Sequence, residues 1–210
     1  MVAFDDAFRH KLRELFVWRR DVRRFRKTPL PERTLERLID VVCLSPSVGL
    51  SQPWRFVIVE DELRRRAVID NFRTCNAAAL QAYSEERAAL YAKLKLSGLE
   101  EAPGHLAVFA EKSDEIGHGL GRMTMPETTE YSVVAAISSM WLAARADGIG
   151  LGWVSILDPA KLCEILDVPT SWKFIGYLCL GYPEEECDRP ELERANWEHR
   201  RDGEQFTTRR

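Results

Sequence analysis

Two helix-forming stretches precede the first strand of this chain, and that order limits its possible folds more than any other feature. Phe8, Leu12, Leu15 and Phe16 recur at spacings of four, three and one, which is one face of a helix that Asp5 or Asp6 can cap. Leu35, Leu38, Ile39 and Val42 mark a second helix, with Pro31 suited to its first turn. It should stop before Ser45-Pro46, because the residue before a proline avoids the helical region. Only then does a β-branched strand appear, Phe56-Val57-Ile58-Val59. Asp61 can cap a mostly helical stretch from about 62 to about 99, expected to break near Cys75-Asn76 or Tyr83-Ser84. A second strand is expected over 105–110, and a long loop over 111–127, a length more often functional than idle. Thr128 or Thr129 opens a helix carrying Val133, Val134, Ile137, Met140, Trp141 and Ala144, and Gly148 ends it. A third strand over 151–156, a helix capped by Asp158 with Pro159 in its first turn, and a buried fourth strand over 174–180 follow. The tail from Pro183 reads as irregular. Helices and strands interleave, but helices lead, which predicts an α+β layered domain rather than a doubly wound sheet. No repeat or low-complexity linker divides the chain, so one domain over 1–210 is expected, with a core of about 10–185 and a tail over 186–210.

At 210 residues, 45% hydrophobic and 30% charged, the chain has the make-up of a soluble enzyme and needs neither disulfide nor structural metal to hold a core. A net charge of −3 argues against the broad positive field of a nucleic-acid binder. The dense basic stretch Arg19 to Lys27 can still hold a phosphate, because such binding depends on local geometry. Five cysteines without a CxxC pair read as buried free thiols of a reducing cytoplasm. The opening MVAFDDAFRH lacks the apolar core of a secretory signal, and no run approaches the ~20 apolar residues of a bilayer span. A cytoplasmic location is expected, with no membrane or nucleic-acid partner.

Several motif candidates fail on context. Gly148-x-Gly150-x-Gly152 leaves a helix and enters a strand, the reverse of a dinucleotide fingerprint, and Gly117-His118-Gly119-Leu120-Gly121 fails likewise. Ser155 is not in a GxSxG elbow. The four histidines share no metal-ligand spacing, so no metal site is expected.

Three segments carry chemistry. Arg19-Arg20-Asp21-Val22-Arg23 places three guanidinium groups in five residues as the chain leaves the first helix. Cations there can simply answer the helix dipole, but their forks also match phosphate oxygens. Asp21 among them is favoured as a carboxylate, able to orient those arginines or act on what they hold. Ser45-Pro46-Ser47-Val48-Gly49-Leu50-Ser51-Gln52-Pro53-Trp54 is either a plain helix-to-strand loop or a set of donors and acceptors, Ser47, Ser51 and Gln52, for a polar heterocycle. Gly152-Trp153-Val154-Ser155 is either a tight turn into a strand or a place where a flat ligand approaches bare backbone.

Taken together, Arg-Arg-Asp-Val-Arg and Pro-Ser-x-x-x-x-Gln-Pro-Trp resemble the two signatures of the nitroreductase and flavin reductase family, and residues from about 15 to 200 follow its element order. The likeness is nearer to the branch of that family that breaks reduced FMN apart. It rests on Arg20-Asp21-Val22-Arg23, Pro46-Ser47-Val48-Gly49, Gln52-Pro53-Trp54, Leu94-Lys95-Leu96, Trp141 to Ala146, Gly152-Trp153-Val154-Ser155 and Leu178-Cys179-Leu180-Gly181. Ordinary members have Ser at Asp21 and Asn at Gly49; the branch often has Met where Ser51 stands.

The resemblance implies a three-layer fold, a central mixed, mostly antiparallel sheet flanked by helices, in an intertwined homodimer. It implies reduced FMN as substrate, oxygen as co-substrate, and 5,6-dimethylbenzimidazole and erythrose 4-phosphate as products. A separate NAD(P)H-dependent flavin reductase would supply the electrons. Arg19, Arg20 and Arg23 match positions that hold the phosphate and ribityl end, with Val22 and Trp153 beside them. Asp21 and Ser155 match the positions essential to fragmentation. Ser47 and Gln52 would contact the ring or ribityl chain, partly from the partner subunit, and Lys95, on the long helical stretch, would belong to a lid. The competing readings are a conventional NAD(P)H-dependent nitroreductase or flavin reductase with recycled FMN, which Asp21 and Gly49 argue against, and an FMN-binding dimer without turnover.

Overall fold

The computed structural model describes residues 3–112 and 115–210. Helix α1 (Asp6–Trp18) is capped by Asp5, whose Oδ1 accepts from the Phe8 N–H. Helix α2 (Thr34–Val42) starts three residues later than Pro31 suggested. The Thr34 N–H and hydroxyl both donate to the Pro31 carbonyl, and Arg33 turns left-handed at φ 59°, so Pro31 opens a turn ahead of the helix. After strand β1 (Trp54–Ile58), Asp61 caps helix α3 (Glu62–Gln81). The long helical stretch breaks at the second of the two expected places, and helix α4 (Glu85–Tyr91) follows. It ends well short of Leu99, so Lys95 is not helical, a correction with a cause described below.

Strand β2 (Gly104–Glu111) leads into the glycine-rich loop, of which 113 and 114 lie outside the described residues. Helix α5 (Thr128–Ala146) ends at Gly148, at φ 72°. Strand β3 (Gly150–Val154), helix α6 (Pro159–Leu166, capped by Asp158) and strand β4 (Trp172–Gly181) complete the core. The tail is less irregular than expected: it forms a short helix α7 (Glu191–Arg194) and a 3-10 turn at Gly203–Phe206.

The strands order β1-β2-β4-β3 with every named pair antiparallel. The parallel component is a single bridge, Asp21 to Leu151. Alternation in β2 sends Leu106, Val108 and Ala110 to one core with α2 and α5, and Ala107 and Phe109 to a second core with α3 and α6. Both faces of the sheet are therefore covered, giving three layers. The second core includes a polar pair: His105 Nδ1 lies 3.0 Å from the Tyr177 hydroxyl and Nε2 lies 3.1 Å from the Ala102 carbonyl. No described helix is long and apolar enough to cross a membrane. Cys179 is buried, but Cys43 is exposed and Cys75, Cys163 and Cys187 are half-buried, so the expectation of buried thiols holds for one of the five.

Candidate functional site

The Arg-Asp-Val-Arg segment leaves α1 and runs along the open edge of β3, where the Val22 N–H donates to the Leu151 carbonyl at 3.0 Å. It lies so close that a Cβ on Gly152 would overlap the Val22 carbonyl oxygen, and one on Gly150 would meet the Val22 side chain at 2.8 Å. Gly152 therefore admits the chain's own backbone and Gly150 the Val22 side chain, which corrects the idea that Gly152 bares a surface for a flat ligand.

This docking seats Asp21. Its Oδ1 accepts from the Trp153 N–H at 2.9 Å, while its Oδ2 accepts from Arg23 Nε and Nη2, both at 2.9 Å. Asp21 thus takes the place of a neighbouring strand's carbonyl for Trp153, and a forked cation fixes its other oxygen. Arg23 uses its remaining nitrogen, Nη1, to reach the Lys95 carbonyl at 3.1 Å. That contact explains why the chain beyond α4 is extended: Lys95 offers its carbonyl to a half-buried guanidinium rather than to a further helical turn, and Gly98 passes directly over the Phe25 ring. The Lys95 ammonium pairs with Glu101 at 2.6 Å.

Arg19 and Arg20 flank Asp21. Arg19 lies over the Trp141 ring at 4.8 Å, and Trp141 Nε1 donates to the Arg20 carbonyl at 3.0 Å. Arg20 caps α1 by donating to the Phe16 and Val17 carbonyls, yet its Nε is buried without a partner. Burial lowers both guanidinium groups from their ordinary value; the Asp21 charge partly offsets this at Arg19, while Arg200 of the tail pushes both down by like charge. Arg19, Arg20, Asp21 and Arg23 form the floor, and Pro190, Glu191, Leu192 and Arg200 the roof, of a cleft of about 160 Å³. An Arg24–Glu191 ion pair ties the roof down. Partly desolvated cations around a small space, with Asp21 and Glu191 among them, make this cleft a candidate anion site.

Arg200 and the roof were not singled out in the sequence. A basic run near the end of a tail carries no spacing signal, and only the tail's return across the arginines reveals it. The remaining candidates lie elsewhere. Ser155 is exposed just beyond β3, two residues from the amide that Asp21 holds. The Ser47 hydroxyl accepts from the Gln52 N–H at 3.0 Å, and Gln52 Nε2 donates to the Cys43 carbonyl at 3.4 Å. Their loop docks on α5, where the Val48 N–H donates to Ser132. Ser132 and Trp141 are nine positions apart on α5, about 13 Å at the helical rise. A single chain therefore holds the arginine cleft and the Ser47–Gln52 loop as two clusters. Ser51 is buried with an unpartnered hydroxyl. Among the described residues there is no group of His, Cys, Asp and Glu side chains able to hold a metal.

The nitroreductase family model matches residues 16–182. A 5,6-dimethylbenzimidazole synthase of Rhodospirillum rubrum is 58% identical over 198 residues, 94% of this chain and 94% of that protein. One from Rhodobacter capsulatus is 46% identical, covering 93% and 94%. A solved structure of oxidised iodotyrosine deiodinase bound to FMN and 3-iodo-L-tyrosine superposes with a TM-score of 0.68 at 26% identity, covering 84% of this chain and 91% of that one.

Proposed function

The chain belongs to the nitroreductase family, and from that premise we propose that it fragments reduced FMN with oxygen, releasing 5,6-dimethylbenzimidazole, the lower ligand of cobalamin, and D-erythrose 4-phosphate. The observation that carries this reading is a carboxylate, Asp21, seated among Arg19, Arg20 and Arg23 beside a buried Arg20 Nε that has no partner. The two synthases above, by their name, support the product, 5,6-dimethylbenzimidazole.

The residues present fit FMN. The buried, unpartnered Arg20 Nε and the repulsion among Arg19, Arg20 and Arg200 are what a phosphate dianion would relieve. Arg19, Arg20 and Arg23 together would hold the phosphate and ribityl end. Val22 fixes their segment against the sheet, and Trp153 supplies the amide that orients Asp21. Bound reduced FMN would supply the electrons that reduce oxygen, and its dimethylbenzene ring, two ring nitrogens and first ribityl carbon would become 5,6-dimethylbenzimidazole, the other four ribityl carbons leaving as erythrose 4-phosphate. Asp21 serves as the base that takes a proton from the ribityl chain, and Ser155 orients a ribityl hydroxyl. Lys95 and the α3–α4 segment form a cover that limits water.

A homodimer completes the site, with Ser47 and Gln52 reaching the ring partly from a second copy. In support, no residue of α1 is buried, and Phe8, Leu12 and Phe16 are 45%, 38% and 54% exposed. A 13-residue helix with an uncovered apolar face needs another surface.

The test combines the protein with FMN, NADH, a separate flavin reductase and air, and looks for 5,6-dimethylbenzimidazole by chromatography. Product that depends on this chain and on oxygen is expected. Direct NADPH turnover with flavin retained and no product would replace this reading with that of an ordinary nitroreductase.

A further inference from the structure

We infer that Glu101 is a positioning residue for Asp21, acting through Lys95 and Arg23; the catalytic part of this inference rests on the function proposed above. Two ion pairs, Glu101–Lys95 and Arg23–Asp21, are joined end to end through the Lys95 backbone carbonyl and run inward from the α4–β2 connection. Glu101 Oε1 accepts from Lys95 Nζ at 2.6 Å. The Lys95 carbonyl accepts from Arg23 Nη1 at 3.1 Å, and Arg23 grips Asp21 through Nε and Nη2. Glu101 Oε2 is buried and has no partner, so Lys95 is the one side-chain contact of this carboxylate among the described residues.

Stability does not account for the arrangement. Lys95 and Glu101 keep 32% and 26% side-chain exposure, and a pair that accessible contributes little to folding. Its geometry is more telling. The Glu101 and Ala102 N–H groups both return to the Gly98 carbonyl, closing a tight turn, and Gly98 is pressed on Phe25 beside Arg23. The Lys95–Glu101 pair closes the same loop through side chains, so residues 95–101 are held at both ends where the Lys95 carbonyl meets Arg23. Without Glu101, the Lys95 ammonium loses its partner, and the carbonyl that fixes Arg23 loses its tether.

The Trp153 N–H gives a readout independent of turnover, because it donates to Asp21 rather than to β4. Amide exchange would be followed by NMR in the flavin-free protein for wild type, Glu101→Ala, Glu101→Gln and Glu101→Asp. Exchange at Trp153 should speed up on the order of tenfold in Glu101→Ala and less in Glu101→Gln, recover in Glu101→Asp, and leave the β4 amides unchanged. In product assays, kcat should fall on the order of tenfold in Glu101→Ala, with KM for reduced FMN within about twofold. Should Glu101→Ala fail to fold, the nearly isosteric Glu101→Gln carries the test. Unchanged Trp153 exchange overturns the inference, as does a rise in KM with kcat intact. A wild-type protein that forms no product defeats the functional reading instead, and the exchange result still decides the positioning.

Discussion

At the scale of single residues, Asp21 has two duties that its contacts separate. One oxygen substitutes for a strand partner of Trp153, and the other meets Arg23. Asp21→Asn keeps the shape and one carbonyl oxygen but cannot act as the base. Reduced FMN should still bind, while product formation should drop by about 10²–10⁴. Anaerobic flavin titration beside single-turnover product assays checks this, and wild-type rates would remove Asp21 from the chemistry. His105 supplies a second residue-scale prediction. Burial first, then the Arg65 charge, lowers it from 6.5 to about 4, so the folded protein holds it neutral. The unfolded chain takes up that proton near 6.5, so stability is full above 6.5 and declines as pH falls towards 4. Between pH 7.5 and 5 the loss should be about 2 kcal/mol. Urea unfolding of the flavin-free protein at both pH values should show it, and His105→Gln should flatten the difference while lowering stability overall.

At the scale of elements, β3 and the segment beside it act as one unit. Gly152→Ala sets a methyl group into the Val22 carbonyl, which is backbone and cannot rotate away. The expected cost is about 3 kcal/mol, or roughly 6–12 °C in melting temperature for a domain of this size, with flavin affinity falling because the arginine segment is displaced. Calorimetry and a flavin titration measure both. Helix α1 shows the opposite behaviour. Its helical spacing was evident in the sequence, but its apolar face meets little of its own chain. The double change Phe8→Asp with Leu12→Asp should leave the fold intact and shift the protein to monomer in sedimentation velocity. A monomeric wild type would refute the dimer proposal.

At the scale of the molecule, the sheet separates two cores and leaves the site at its β3 edge, where the first connection and the last tail meet. The tail reaches far: Trp197 packs edge-on against Tyr83 at 5.7 Å, Arg87 lies over Trp197 at 5.1 Å, and Glu191 pairs with Arg24. It spans from the arginine cleft to the α3–α4 turn and so joins the roof of the site to its proposed cover. Removing residues 190–210 should weaken binding of flavin phosphate at least about tenfold, because Arg200 and the roof leave together. Comparing FMN with riboflavin by titration isolates the phosphate contribution, and equal losses for both ligands would place the tail's role elsewhere.

Local chemistry made much of this legible in the sequence. Caps at Asp5, Asp61 and Asp158, the glycine stop at 148, the strand cores and the Arg-Asp-Val-Arg segment all depend on neighbours within a few positions. What the sequence could not decide were contacts set by distant chain. Gly152 is bare for Val22, Lys95 leaves the helical path for Arg23, and Arg200 returns over cations some 180 positions earlier. Periodicity carries no information about such pairs, because each depends on which surfaces the folded layers bring together rather than on the spacing of residues along the chain.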